Sequence, residues 1–289
     1  MTWLVLALAA ALFQVLRNTA MKRLGHALDE YINVWGRFTF LLPFALLSCV
    51  VWGFPVLRPG FWGWCLLFGV CQTCSTLALS KALKASDISL VTALWKVSLL
   101  ILVVLGYFTL REQPTLLGIA GILISMSGVY LLNVHRAHIA WWAPLAVLFT
   151  DRGMRYTLLA ALFFAPSVVT IKWAMQCSDQ YMGTLGGYVA ASLLVTPIVL
   201  KTSRRHFVEI PKYWKAFVSF GLFASLTTIS QGTAYLMTLS SYVEAVKQVE
   251  ILFAMAIGTV MFHEKQKVRD IAPGALVMLA GVVLLSLAG

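Results

Sequence analysis

Of 289 residues, 60% are hydrophobic and 11% charged, against roughly 25% charged in an ordinary soluble domain, so the chain cannot cover a soluble core and reads as an integral membrane protein. The net charge of +11 does not indicate nucleic acid, whose recognition needs a clustered basic surface with a reading element. Basic residues crowding the loops of one membrane face account for it instead.

Apolar runs of about 20 residues, the length that crosses a bilayer, fall at 3–21, 31–52, 61–80, 88–110, 115–133, 154–176, 181–200, 214–238, 242–262 and 270–288. The first run has no basic residue before it and Arg17, Lys22 and Arg23 at or after its end, the reverse of a cleaved signal peptide, so it is expected to be retained. Short connections carry turn or charge signals, such as Gly53 to Gly60 with Pro55 and Pro59. The expectation is an all-α membrane protein of ten spans: a first five-helix set over 1–133, a connecting loop over 134–153 in which 141–150 lies along the interface, and a second set over 154–289.

The fourth and ninth spans organise the rest. Shifting the chain by 152 lays Ser89 on Ser241, Val91 on Val243, Ala93 on Ala245, Val97 on Val249, Leu100 on Leu252, Gly106 on Gly258 and Glu112 on Glu264. One inserted residue later, Gly121 meets Gly274 and Gly128 meets Gly281. Because five is odd, the second copy enters the membrane upside down, the inverted-repeat plan of many secondary transporters, whose substrate site lies near the midplane. Gly121 with Gly128, and Gly274 with Gly281, each lie on one helix face and read as packing.

The ninth span carries Glu244, Lys247 and Glu250 inside an apolar run, with Glu250 roughly 3 Å and Lys247 roughly 7.5 Å from its midpoint at ~1.5 Å per residue. Lys96 is similarly central in the fourth span. Charges that deep mark a functional site by default. Ser89, Thr92 and Lys96 share one helix face, and their repeat partners Ser241, Glu244 and Gln248 make the matching stripe. Trp95 aligns with Lys247, and Ser98 with Glu250. The substrate-binding candidates are therefore Lys96, Lys247, Glu250, Gln248, Glu244, Thr92, Trp95 and Arg37.

On one reading Lys96 and Lys247 receive a negative group of the substrate. On a second, Lys96–Glu250 or Lys247–Glu250 is a buried ion pair with no substrate role. On a third, Glu250 carries the coupling proton. Arg17 reads as snorkelling, while Arg37, beside Asn33, and Lys172 read as vestibule charges on opposite sides. Gln14, Asn18, Gln72, Tyr188 and Gln231 are the uncharged polar residues expected around a cavity or between helices.

No enzyme signature, metal site or cofactor motif is present: Cys71 and Cys74 lack the second Cys/His pair of a zinc site, and there is no phosphate-binding glycine loop. Without an ATP site, transport would run on a gradient. The expected partners are the bilayer and a small-molecule or lipid substrate, not nucleic acid, and a homodimer is the assembly considered.

Two halves that each end in a polar turn with glutamate, Leu110-Arg111-Glu112 and Phe262-His263-Glu264, followed by a glycine-spaced final helix, resemble the drug/metabolite transporter superfamily, EamA type. The resemblance implies a ten-helix fold whose central cavity is lined by spans one to four and six to nine, with five and ten outside. Members move amino acids, nucleosides, sugar phosphates, drugs and lipid-linked sugars, so it leaves three functions open: a metabolite transporter, a translocator or accessory protein for a phosphate-bearing lipid, and a non-transporting assembly factor.

Loops after the odd-numbered spans hold fifteen Lys and Arg residues, among them Lys22, Lys84, Arg152, Lys201 and Lys267, against Arg58 and Arg111 on the other face. The positive-inside rule puts the crowded loops in the cytoplasm and both termini outside. The superfamily implies termini inside. A bacterial plasma (inner) membrane is the expected location.

Overall fold

The computed structural model describes residues 1–25, 29–86, 88–137, 151–262 and 267–288. Among them every element is helical. The segment 141–150, His138, His263 and Glu264 lie outside the described residues.

Among the described residues the helices group into the ten expected spans. The first, third, fifth, sixth, seventh, eighth and tenth are single rods over Thr2–Gly25, Phe61–Ala85, Leu116–Ala137, Arg152–Gln176, Gln180–Thr202, Trp214–Met237 and Lys267–Ala288. The second is jointed between Glu30–Thr39 and Leu42–Trp52. Among the described residues six crossings are long and apolar enough to span a bilayer by length and composition alone.

Aspartates begin three spans. Asp29, Asp151 and Asp179 each accept a hydrogen bond from the backbone N–H three residues on, at 3.0, 2.9 and 2.7 Å, satisfying a donor that the first turn leaves open. The loop between spans two and three turns at Gly53 and Gly60, both at φ 90°, where a side chain would be strained. Contacts between loops keep to one face at a time: Lys84 pairs with Glu30 at 2.5 Å, and the Ser86 hydroxyl donates to Asp151. On the opposite face Arg58 N–H donates to Cys177 O at 2.9 Å.

The inverted repeat is visible in the packing. The most extensive helix pairings join spans five and ten, three and six, and one and eight; since one corresponds to six and three to eight, the last two pairings are images of each other. Between spans five and ten the glycines interlock. A Cβ on Gly128 would stand 2.4 Å from Met278 N and 2.7 Å from Gly274 O; one on Gly281 would stand 2.4 Å from Ser125 N and 2.7 Å from Gly121 O. The matching distances are the two-fold relation written in ångströms.

Candidate functional site

The fourth and ninth spans are discontinuous, and they break at equivalent positions. The fourth runs Ile88–Trp95, then Val97–Leu105, with Lys96 at the joint at φ −64°, ψ −18°. In the ninth, Ser240–Lys247 is followed by Gln248 at φ −59°, ψ −18°, and the helix resumes at Glu250. Those angles are 3₁₀-like, and the bonds tighten to match: Leu99 N–H donates to Lys96 O, and Val249 N–H to Val246 O, both at 3.0 Å. Neither joint contains proline or glycine. Broken helices at the repeat interface are where transporter sites are built, because the joint frees backbone groups and turns polar side chains inward.

Lys96 is half-buried at its joint. Among the described residues it closes no ion pair. The charges acting on it are those of Glu250 first, then Glu244 and Lys247. Its repeat partner Gln248 is 6% exposed, with Oε1 buried and unpartnered. Ser241 Oγ is in the same condition. Thr92 lies half-buried one turn before Lys96, and the Trp95 ring tilts on Phe164 of the sixth span with centroids 5.0 Å apart. The side chain of Ser89 lies outside the described residues.

Neither expected ion pair with Glu250 forms. Lys247 Nζ instead meets Glu244 Oε1 at 3.1 Å and donates to Gln231 Oε1 at 2.6 Å. Gln231 Nε2 donates to Glu244 at 2.9 Å, and the Tyr235 hydroxyl donates to the same carboxylate. This network sets the charge of Lys247 against that of Glu244, so the lysine's counter-ion is Glu244 rather than Glu250. Glu244 and Glu250 each stand three residues from Lys247, and the break after Lys247 leaves only Glu244 on its helix. Glu250 accepts a hydrogen bond from the neutral amide of Gln14.

Two further readings are corrected. Arg17 does not snorkel: it is 7% exposed, bonds Asn18 Oδ1 at 3.1 Å and feels the charges of Arg37 and Glu250. Lys172 is no vestibule charge, because it donates to Glu112 Oε1 at 2.7 Å and Thr238 O at 2.8 Å. Glu112, outside the candidate set, also accepts from Ser240 N–H at 2.9 Å and Ser240 Oγ at 2.8 Å, so its carboxylate caps the ninth span from the other repeat. A π-helical turn over Gly106–Leu110 and Arg111 at φ 54° swing it inward. Gln72 is glue between spans three and six, accepting from Ser167 Oγ at 3.0 Å. A groove of about 410 Å³ lined by Val103, Tyr107, Phe108 and Ile119 opens on the outer surface, among apolar side chains.

The model of the EamA-like transporter family matches residues 1–134 and 151–287. The chain belongs to the EamA-like transporter family. Membership makes it a membrane transporter of the drug/metabolite type. Among solved structures, a crystal structure titled only as that of a protein is 14% identical, with a TM-score of 0.79 over 99% of this chain and 96% of its own. That likeness shows this EamA-like transporter's fold. No curated protein matches it in sequence.

Proposed function

We propose that this EamA-like transporter is a secondary transporter that moves a small polar, anionic or zwitterionic metabolite by alternating access, with Lys96 receiving the substrate's negative group. One observation carries the reading: a half-buried lysine that closes no ion pair among the described residues sits at a helix joint that recurs, with nearly the same backbone angles, at Gln248. An ammonium held there without a counter-ion is costly, and a substrate carboxylate or phosphate offsets that cost. Glu250, held by a neutral partner, is the proposed proton carrier.

The alternative is a phosphate-bearing lipid, favoured by the apolar surface groove beside the fourth span, which offers acyl chains a seat. The non-transporting assembly role gives Lys96 nothing to do.

The test is a thermal-shift screen of purified protein across amino acids, carboxylates, phosphorylated sugars, nucleosides and lipid head groups. A ligand at ~100 times its dissociation constant adds roughly 2.7 kcal/mol. A hit lost in Lys96→Gln supports the reading, a hit confined to lipids moves it to the alternative, and silence across the screen defeats both. Orientation is tested separately. With native cysteines removed, Gly25→Cys and Val208→Cys, the latter at a position 83% exposed, are expected to react with an impermeant thiol reagent only in opened cells.

A further inference from the structure

Three cations from three spans of the first repeat stand at one depth. At ~1.5 Å per residue Arg17 lies roughly 12 Å inside the end of its span at Gly25, Arg37 roughly 10 Å inside Glu30, and Lys96 roughly 12 Å inside Ile88. All three spans meet the basic-loop face at those ends. Among the described residues none of the three closes an ion pair.

Arg37 is the charge that acts most strongly on Arg17. Like charges repel, and among the described residues neither guanidinium closes an ion pair that would offset it. The second span is fastened to the seventh by Trp35 Nε1 donating to Thr196 Oγ1 at 3.0 Å and by Thr39 with Ser192 at 2.7 Å. Phe38 adds an edge-on contact with Tyr188 at 5.7 Å. Four residues before Arg37, and therefore on its face of the helix, Asn33 is 6% exposed with Oδ1 buried and unpartnered. Arg17 is in turn one helical turn from Gln14, which holds Glu250, and that carboxylate acts on both Arg17 and Lys96.

Counted with Arg17 and Lys96 themselves, the charged groups that act on these two make four cations, Arg17, Arg37, Lys96 and Lys247, and two carboxylates, Glu244 and Glu250. Lys247 and Glu244 neutralise each other. The remainder is a surplus of two positive charges.

We infer that this site takes a dianionic solute, a dicarboxylate or a phosphate monoester, with Arg17 and Arg37 gripping one acidic group and Lys96 meeting the other. The inference rests on the transporter reading and sharpens it from anionic or zwitterionic to doubly charged. Guanidinium forks suit a carboxylate or phosphate bidentately, whereas an ammonium acts as a point charge. One grip is thus geometric and the other electrostatic.

The test compares probes differing by one charge on the full-length protein in detergent: succinate against its monoamide succinamate, and glycerol 3-phosphate against glycerol, by calorimetry. Succinate is expected to bind at least tenfold more tightly than succinamate, and glycerol 3-phosphate to bind where glycerol does not. Arg17→Gln and Arg37→Gln should each erase the preference for the second charge, and Lys96→Gln should weaken both succinate and succinamate. If Arg17→Gln does not fold, Arg17→Lys keeps the charge without the fork and is expected to lose most of the discrimination. Vesicles containing phosphatidic acid distinguish a lipid source: binding to them with no binding of free glycerol 3-phosphate or succinate overturns the solute. Equal affinity for succinate and succinamate, or a preference that survives both arginine changes, overturns the inference. A zwitterion that binds through Lys96 alone would do so while leaving the transporter reading standing, and silence from every probe overturns the inference outright.

Discussion

Lys172 of the second repeat and Glu112 of the first meet at 2.7 Å, each 6% exposed, on the face opposite the crowded basic loops. The carboxylate simultaneously caps the ninth span through Ser240, so one ion pair ties together the ends of spans four, six and nine.

Removing either partner should be costly in stability. Lys172→Met leaves Glu112 charged and buried, and Glu112→Leu strands the ammonium with only Thr238 O; each is expected to cost roughly 3–5 kcal/mol. The double change, which buries no charge, should recover most of it. Thermal melts of the three variants read this directly. A double variant as unstable as the singles would mean that the Ser240 cap, not the ion pair, carries the energy.

The joint residues give the sharpest functional comparison. Lys96→Gln makes the fourth span carry the residue that the ninth has at Gln248, and removes an unpaired charge. Transport is expected to fall at least tenfold with the melting temperature held or raised. A variant that transports normally would remove Lys96 from the site.

Glu250→Gln tests coupling. The change keeps a group able to bond Gln14 while removing the proton-accepting carboxylate. Transport should lose its dependence on an imposed pH gradient but retain exchange of substrate across the membrane. Unaltered gradient dependence would assign the proton elsewhere.

Much of this was legible in the residues. The ten spans, the shift of 152 and the central charges follow from apolar length and self-similarity, because bilayer thickness and duplication leave marks that survive in a linear string. The partners of those charges do not. Glu112 turns inward only because Gly106–Leu110 winds as a π turn and Arg111 takes a left-handed backbone, and nothing in the sequence LRE announces either. Arg17 read as snorkelling because its distance from the end of the span permits it; the neighbouring Arg37 that argues otherwise comes from another helix. Lys247 reads as a substrate cation or as the partner of Glu250, because Glu244 and Glu250 both stand three residues from it and only the break at Gln248 leaves Glu244 alone on its helix.

Asp151 offers a pH test outside the membrane. Hydrogen bonds from the Ser86 hydroxyl first, and then from Met154 N–H, hold its carboxyl below the ordinary carboxylate range. A depressed carboxyl contributes stability that is fully present above the unfolded value and lost as pH falls through the folded one. Wild type should therefore exceed Asp151→Ala by ~1 kcal/mol at neutral pH, as for other lost N-caps, with the gap closing below about pH 4. A gap constant down to pH 3 would show that the cap works without its charge.

The seam between spans five and ten sets a boundary on motion. Gly128→Ala and Gly281→Ala each drive a methyl into backbone, and the two should destabilise by the same amount, roughly 1–3 kcal/mol, because each meets the other's environment. With backbones this close, neither helix can slip by a residue without collision. The pair is then the fixed keel of the molecule. Any rocking that exposes Lys96 first to one side and then to the other is confined to the remaining eight spans, and a cross-link placed across the keel would leave transport running where one placed across the joints would stop it.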